Sequence, residues 1–242
     1  MIVFVHGAGN DRQAWHRQCA YFADAGRRLL APDLPGHGGS HESPLTTIEA
    51  MADWLGAQLA QHASDPVALV GHSMGSLIAL EAAARGAARV ASLTLVGSTL
   101  PMRVAPALLE AARSDPAQAR QMINDWSFAG QAGAGGAGRE QARADNLAMM
   151  ARQPAGVLAI DLGACDAYTG GPAAAAALRC PTWLVCGDSD RMTPLAGIGV
   201  LHEALRGSGR EPQIATIADC GHAIMAEQPE RLNETLARCC EE

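Results

Sequence analysis

The sequence predicts an α/β protein: a doubly wound, mainly parallel sheet of about six strands with a helical cap insertion. Three observations predict it. Short apolar runs recur at residues 2–5, 28–31, 67–70, 93–96, 183–186 and 213–217. Most are continuous rather than alternating, which suits strands covered on both faces of a parallel sheet. Longer stretches with apolar residues at helical spacing, such as 46–62 and 74–85, separate them. This rhythm breaks once, between residues 101 and 177, where no strand pattern occurs.

The chain of 242 residues can bury one large core or two small ones. Hydrophobic residues make up 48% and charged residues 18%, a globular balance. A net charge of −7 disfavours nucleic acid and anionic membranes. The expected partner is a small-molecule substrate; composition does not address oligomeric state. No apolar stretch reaches the roughly 18 residues of a membrane span, and the start carries no signal-peptide pattern. The seven cysteines are odd in number and lack metal-ligand spacing. Reduced cysteines in a cytoplasmic protein are expected, with no metal and no cofactor.

The first strand, 2–5, runs into His6-Gly7-Ala8-Gly9. Glycine on both sides of Ala8 lets the backbone approach a ligand closely. A tetrahedral intermediate needs backbone N–H donors aimed at its oxygen, and Ala8 is the candidate donor here. His6 is expected to hold this loop through side-chain hydrogen bonds. The second strand, 28–31, precedes Gly36-His37-Gly38-Gly39, whose histidine is a candidate neighbour of the site.

The third strand, 67–70, leads into Gly71-His72-Ser73-Met74-Gly75 and then a helix. A serine on a sharp strand-to-helix turn stands proud of the sheet. Glycine two before and two after it removes side chains that would collide. The turn also sets Ser73 at a helix N-terminus, where backbone N–H groups favour developing negative charge. Ser73 is the candidate nucleophile, and the N–H of Met74 the second candidate oxyanion donor. The pentapeptide alone also fits a tight turn with a surface serine; the strand–turn–helix context favours the nucleophile.

The fourth strand, 93–96, ends in Gly97-Ser98-Thr99, which offers no carboxylate. The alanine-rich, helical residues 101–177 then exceed an ordinary connection. They are expected to form a cap inserted into a core of residues 1–100 and 178–242. The alternative is a pair of ordinary surface helices joined by a glycine-rich loop. Residues 130–138 have the composition of a flexible connector. Trp126, Phe128 and Met149, with Met150 and Leu158, are candidates for lining an apolar pocket.

The fifth strand, 183–186, leads to Asp188 and Asp190, either of which can accept an imidazole N–H. The sixth, 213–217, leads to His222. Of eight histidines, His16, His41, His62 and His202 lie in polar or helical contexts, and His72 is expected to point away from the serine hydroxyl. His222 follows both carboxylates and completes the order Ser, Asp, His, so it is the candidate general base.

These motifs in this order resemble the α/β-hydrolase superfamily, in its bacterial branch of esterases, lactonases and perhydrolases. The matching residues are His6-Gly7 with Trp15, Asp33-Leu-Pro-Gly-His-Gly-Gly-Ser40, Gly71-His-Ser-Met-Gly75, Gly187-Asp-Ser-Asp190 with Pro194, and Gly221-His222 with Glu227-Gln-Pro229. The resemblance implies Asp190 as the acid, through the family's Gly-x-x-Asp-x-x-x-Pro pattern, and Ala8 as the first oxyanion donor. It implies a serine esterase acting through an acyl-enzyme. A lactonase, a perhydrolase or a slow-turnover small-molecule receptor on this fold would carry the same residues. Ala223 departs from the tryptophan usual in carbon–carbon bond hydrolases. Serine at 73 departs from the aspartate of haloalkane dehalogenases and epoxide hydrolases. The family's usual first two strands are missing: either the sheet is shorter, or the natural start lies upstream. Six parallel strands are then expected, with 28–31 at an edge.

Overall fold

The computed structural model describes residues 1–62, 66–86, 89–130 and 136–240. Its strands are β1 (Ile2–Val5), β2 (Leu29–Leu30), β3 (Val67–His72), β4 (Val90–Val96), β5 (Thr182–Gly187) and β6 (Gln213–Ile217). They form one sheet in the order β2-β1-β3-β4-β5-β6, with every pair parallel. Register aligns the strand ends: Val5 lies opposite Gly71, His72 opposite Val96, and Gly187 opposite Ile217. The loops after β1, β3, β5 and β6 therefore leave the same, carboxyl-terminal end of the sheet, where ligands of open α/β sheets bind.

Alternation along β1 shows how the two faces are filled. Ile2 and Phe4 pack with Trp15, Phe22, Leu232 and Leu236, which belong to or adjoin α1 (His16–Asp24) and α11 (Pro229–Cys239). Val3 and Val5 face the other way. They join Met51 and Leu55 of α2 (Ile48–His62) and Leu77 of α3 (Met74–Ala84). Each such large side chain contributes roughly 1.5–3 kcal/mol on burial, so both layers are needed.

The edges differ from the interior. Leu29 and Leu30 of the expected 28–31 run lie in register with β1 and are half-buried, and Arg28 O accepts Ile2 N–H at 2.9 Å. Pro32 follows shortly and cannot donate to a ladder. At the far edge β6 keeps only Ile217 buried.

Between β4 and β5 run α4 (Pro106–Ser114), α5 (Pro116–Ser127), α6 (Gly136–Ala151), α7 (Val157–Ala167) and α8 (Gly171–Ala177). The first four share a hydrophobic cluster of their own, including Leu108, Ile123, Met150, Leu158 and Leu162. The alanines of α8 join the main core instead, beside α3 and α9 (Gly199–Arg206). Of the expected connector at 130–138, residues 131–135 lie outside the described residues, and 136–138 begin α6. Among the described residues no helix is long and apolar enough to cross a membrane.

Candidate active site

Ser73 stands between β3 and α3 with φ 52° and ψ −120°. A non-glycine residue in that region costs on the order of 1–3 kcal/mol and persists only where its surroundings over-determine it. They do so here. A Cβ on Gly71 would lie 2.2 Å from Gly75 O, and one on Gly75 would lie 2.4 Å from Val5 O. Only glycine permits this contact of β1, β3 and α3. Ser73 N–H donates to Val96 O at 2.9 Å. The Ser76 hydroxyl donates to Ser73 O at 2.5 Å and lies 2.7 Å from Ser98 Oγ. Sequence reasoning missed Ser76 and Ser98, although each lies within two residues of a glycine it did single out.

His222 Nδ1 donates to Asp190 Oδ2 at 2.8 Å, and both side chains are buried. The Thr193 hydroxyl donates to the same oxygen at 2.7 Å. Asp190 Oδ1 accepts the N–H groups of Met192 and Thr193, each at 2.8 Å. Burial alone would raise the Asp190 pKa. The His222 charge and these donors outweigh it and hold the carboxyl well below the usual carboxylate range. With Nδ1–H engaged in the hydrogen bond to the ionised Asp190, the neutral His222 ring keeps Nε2 as an acceptor, the tautomer a general base requires.

Asp188, the other carboxylate in this turn, is exposed and accepts from Cys220 N–H at 3.2 Å. It braces the loop before His222 rather than the imidazole. His72 does likewise: its Nε2 donates to His222 O at 2.9 Å, and the two rings lie 4.7 Å apart. Burial and the neighbouring His222 lower the His72 pKa to about 3, so its ring is neutral. His6 holds its loop as expected. It accepts Leu34 N–H at Nε2 (3.1 Å) and donates from Nδ1 to Gly7 O (3.0 Å). Burial, aided by His37, lowers its pKa to about 4.

Ser73, His222 and Ala8 line one cavity of about 250 Å³. Met74 begins α3 directly after Ser73, and its side chain is buried in the main core. Trp126 and Met150 line the cavity, whereas Phe128, Met149 and Leu158 are not part of its wall. Phe128 is buried against Ala142 and Ala223, under the Arg143 guanidinium at 4.9 Å. Met149 borders a separate groove beside Ala142 and Ala226. Leu158 covers Gly9, where a Cβ would meet its Cδ1 at 2.9 Å. Sequence reasoning also missed Arg103 and Arg191 in the wall. Arg191 adjoins Asp190 and was within reach of the motif; Arg103 carried no signal. Both rest a guanidinium on backbone oxygens, of Asp166 and Asp125 respectively. Among the described residues no group of three or more His, Cys, Asp and Glu side chains could hold a metal ion.

The model of a family described as the alpha/beta hydrolase family matches residues 2–235. The chain is 29% identical over 247 residues to a pimeloyl-[acyl-carrier protein] methyl ester esterase of Aromatoleum aromaticum, covering 95% of this chain and 93% of that protein. It is 33% identical over 126 residues to the lipase LipV of Mycobacterium tuberculosis, covering 49% of this chain and 48% of that one. The fold resembles an esterase from Thermogutta terrifontis at a TM-score of 0.83 and 24% identity, covering 98% of this chain and 88% of that one.

Proposed function

The chain belongs to the α/β-hydrolase family, and from that premise we propose that it is a serine hydrolase cleaving a small carboxylic ester through Ser73, His222 and Asp190. One observation carries the proposal. The Asp190–His222 hydrogen bond of 2.8 Å fixes the imidazole on the same cavity that exposes the strained Ser73.

The Ser73 hydroxyl attacks the ester carbonyl while His222 Nε2 takes its proton. The carbonyl oxygen becomes an anion facing the N–H groups of Ala8 and Met74, at the start of α3. His222 then protonates the departing alcohol, leaving an acyl group on Ser73. A water molecule, deprotonated by His222, releases the acid. Asp190 stays ionised throughout and steadies the imidazolium. Helices α4–α7 act as the cap, and Trp126 and Met150 contact the apolar part of the substrate. All seven cysteines are free, which suits a reducing compartment.

A panel of nitrophenyl esters of increasing acyl length, run beside lactones, tests this. Ser73→Ala should remove ester turnover, on the order of 10⁶-fold, without changing the fold by circular dichroism. A fluorophosphonate should label the wild type and not the variant. Ester hydrolysis retained by Ser73→Ala would overturn the proposal. Faster turnover of lactones than of esters would change the substrate class and leave the mechanism in place.

A further inference from the structure

His37 and Asp161 form a buried pair that the reaction above does not use. Their side chains are 1% and 0% exposed, and His37 Nε2 lies 2.8 Å from Asp161 Oδ2. His37 comes from the glycine loop after β2, Asp161 from α7. The other ring nitrogen, Nδ1, lies 3.1 Å from Pro35 O. The Pro35 carbonyl only accepts, so Nδ1 carries a proton; facing an ionised Asp161, Nε2 donates as well and the ring is an imidazolium. Burial alone would lower the His37 pKa; the hydrogen bond and charge of Asp161 outweigh it, and the net direction is upward. The other titratable groups nearby include the neutral His6, whose ring centre is 4.9 Å from that of His37, the Cys165 thiol, which burial and Asp161 keep protonated, and the Asp33 carboxylate, which lies against Gly38.

The same Asp161 oxygen accepts Gly9 N–H at 2.8 Å. Leu158, one turn earlier on α7, covers Gly9 from above. Helix α7 thus grips, by one polar and one apolar contact, the residue after Ala8. The second Asp161 oxygen, Oδ1, is buried with no hydrogen-bond partner. A carboxylate held in this way is costly, and a purely structural link between helix and loop could be apolar at less cost.

We propose that Asp161 is a positioning residue: paired with His37, it docks α7 onto the turn at residues 7–10 and so fixes the Ala8 N–H. The catalytic consequence rests on the hydrolase proposal, while the clamp itself does not.

Asp161→Ala, Asp161→Asn and His37→Gln in the full chain test it. Hydrogen–deuterium exchange in peptides covering residues 6–10 should accelerate at least about tenfold in Asp161→Ala, with β3 and β4 unchanged. Turnover of the ester best used by the wild type should fall about 10- to 100-fold in kcat, with KM within about threefold, as expected when an oxyanion donor is misplaced. Asp161→Asn can still accept Gly9 N–H and should recover part of both effects. Nitrogen-15 NMR should find His37 doubly protonated at pH 7 in the wild type and singly protonated in Asp161→Asn. Unchanged exchange at residues 6–10, a rise in KM with kcat intact, or a neutral His37 in the wild type would overturn the proposal. If Asp161→Ala does not fold, Asp161→Asn and His37→Gln carry the same comparison. A wild type inert toward every ester and lactone would sink the hydrolase proposal, and the exchange at residues 6–10 would still decide the clamp.

Discussion

Ser73 and Asp190 are held in place by opposite means. The serine is strained at φ 52° and kept there by backbone contacts that only Gly71 and Gly75 allow. The aspartate is relaxed, with donors on both oxygens: His222 and the Thr193 hydroxyl on one, two N–H groups on the other. Its depressed pKa has a definite sign in pH. The stabilisation is complete above the unfolded value of about 4 and is lost as pH falls through the lower folded value. An acid limb in kcat/KM above pH 5 therefore does not come from protonation of Asp190. Asp190→Asn should lower kcat on the order of 10⁴-fold, because the imidazole loses its orienting acceptor. Asp188→Asn should stay within about tenfold, since Asp188 meets Cys220 N–H rather than His222. A pH profile and kcat for both variants check this; a larger loss in Asp188→Asn would reverse the assignment. The residues alone did not separate the two carboxylates. Both follow the same strand, and only the family spacing from Gly187 to Pro194 favoured Asp190. Thr193 was legible in principle, as a hydroxyl three residues after an aspartate in a turn.

The element that presents His222 is a loop, and loops need anchors. Here the anchor is Glu227 on α10 (Ile224–Glu227). Its Oε2 accepts Gly221 N–H at 2.6 Å, and its Oε1 accepts Ala129 N–H at 2.9 Å. Arg139 Nε of α6 lies 2.7 Å from Oε1, and the Glu227 side chain is fully buried. One carboxylate thus ties the loop that carries His222 to the segment after α5 and to α6. Glu227→Gln keeps the shape but offers one acceptor where two N–H groups need one each. It should cost about 1–3 kcal/mol, or roughly 3–10 °C in Tm, and lower kcat more than it raises KM. Thermal unfolding and steady-state kinetics test this; an unchanged Tm would show that the loop does not depend on Glu227. The motif at residues 227–229 was visible in the sequence, but its partners were not. Ala129 is 98 positions away, and no periodicity links the two. Strand interiors were legible because burial on both faces leaves an unbroken apolar run. The strand at 28–31 is shorter than its apolar run because pairing at an edge depends on the neighbour, and the register with β1 covers Leu29 and Leu30.

At the scale of the molecule, parallel strands place every loop of the site at one end of the sheet, and α4–α7 lie over that end with a small core of their own. The six strands and their common direction could be read from the sequence because each run is short and rich in apolar or β-branched residues, and helical stretches alternate with them. The pocket wall could not. Helical spacing marks which residues are apolar, not which of two adjacent cores they face. Trp126 and Phe128 are two positions apart, yet Trp126 borders the cavity while Phe128 is fully buried beside Ala142 and Ala223. The two should respond differently to truncation. Trp126→Ala enlarges the cavity, so kcat/KM should shift toward longer acyl chains. The shift relative to a short ester should be about tenfold or more, the scale of one methylene in an apolar pocket. Its effect on stability should be modest, because the indole is only half-buried. Phe128→Ala removes a ring from a closed cluster and the partner of the Arg143 guanidinium. It should cost about 3–5 kcal/mol of stability and leave the chain-length preference where it was. An acyl-length series on both variants, with thermal unfolding beside it, separates the outcomes. If Phe128→Ala shifted the preference and Trp126→Ala did not, the end of α5 and the residue after it would have to present the opposite side to the substrate.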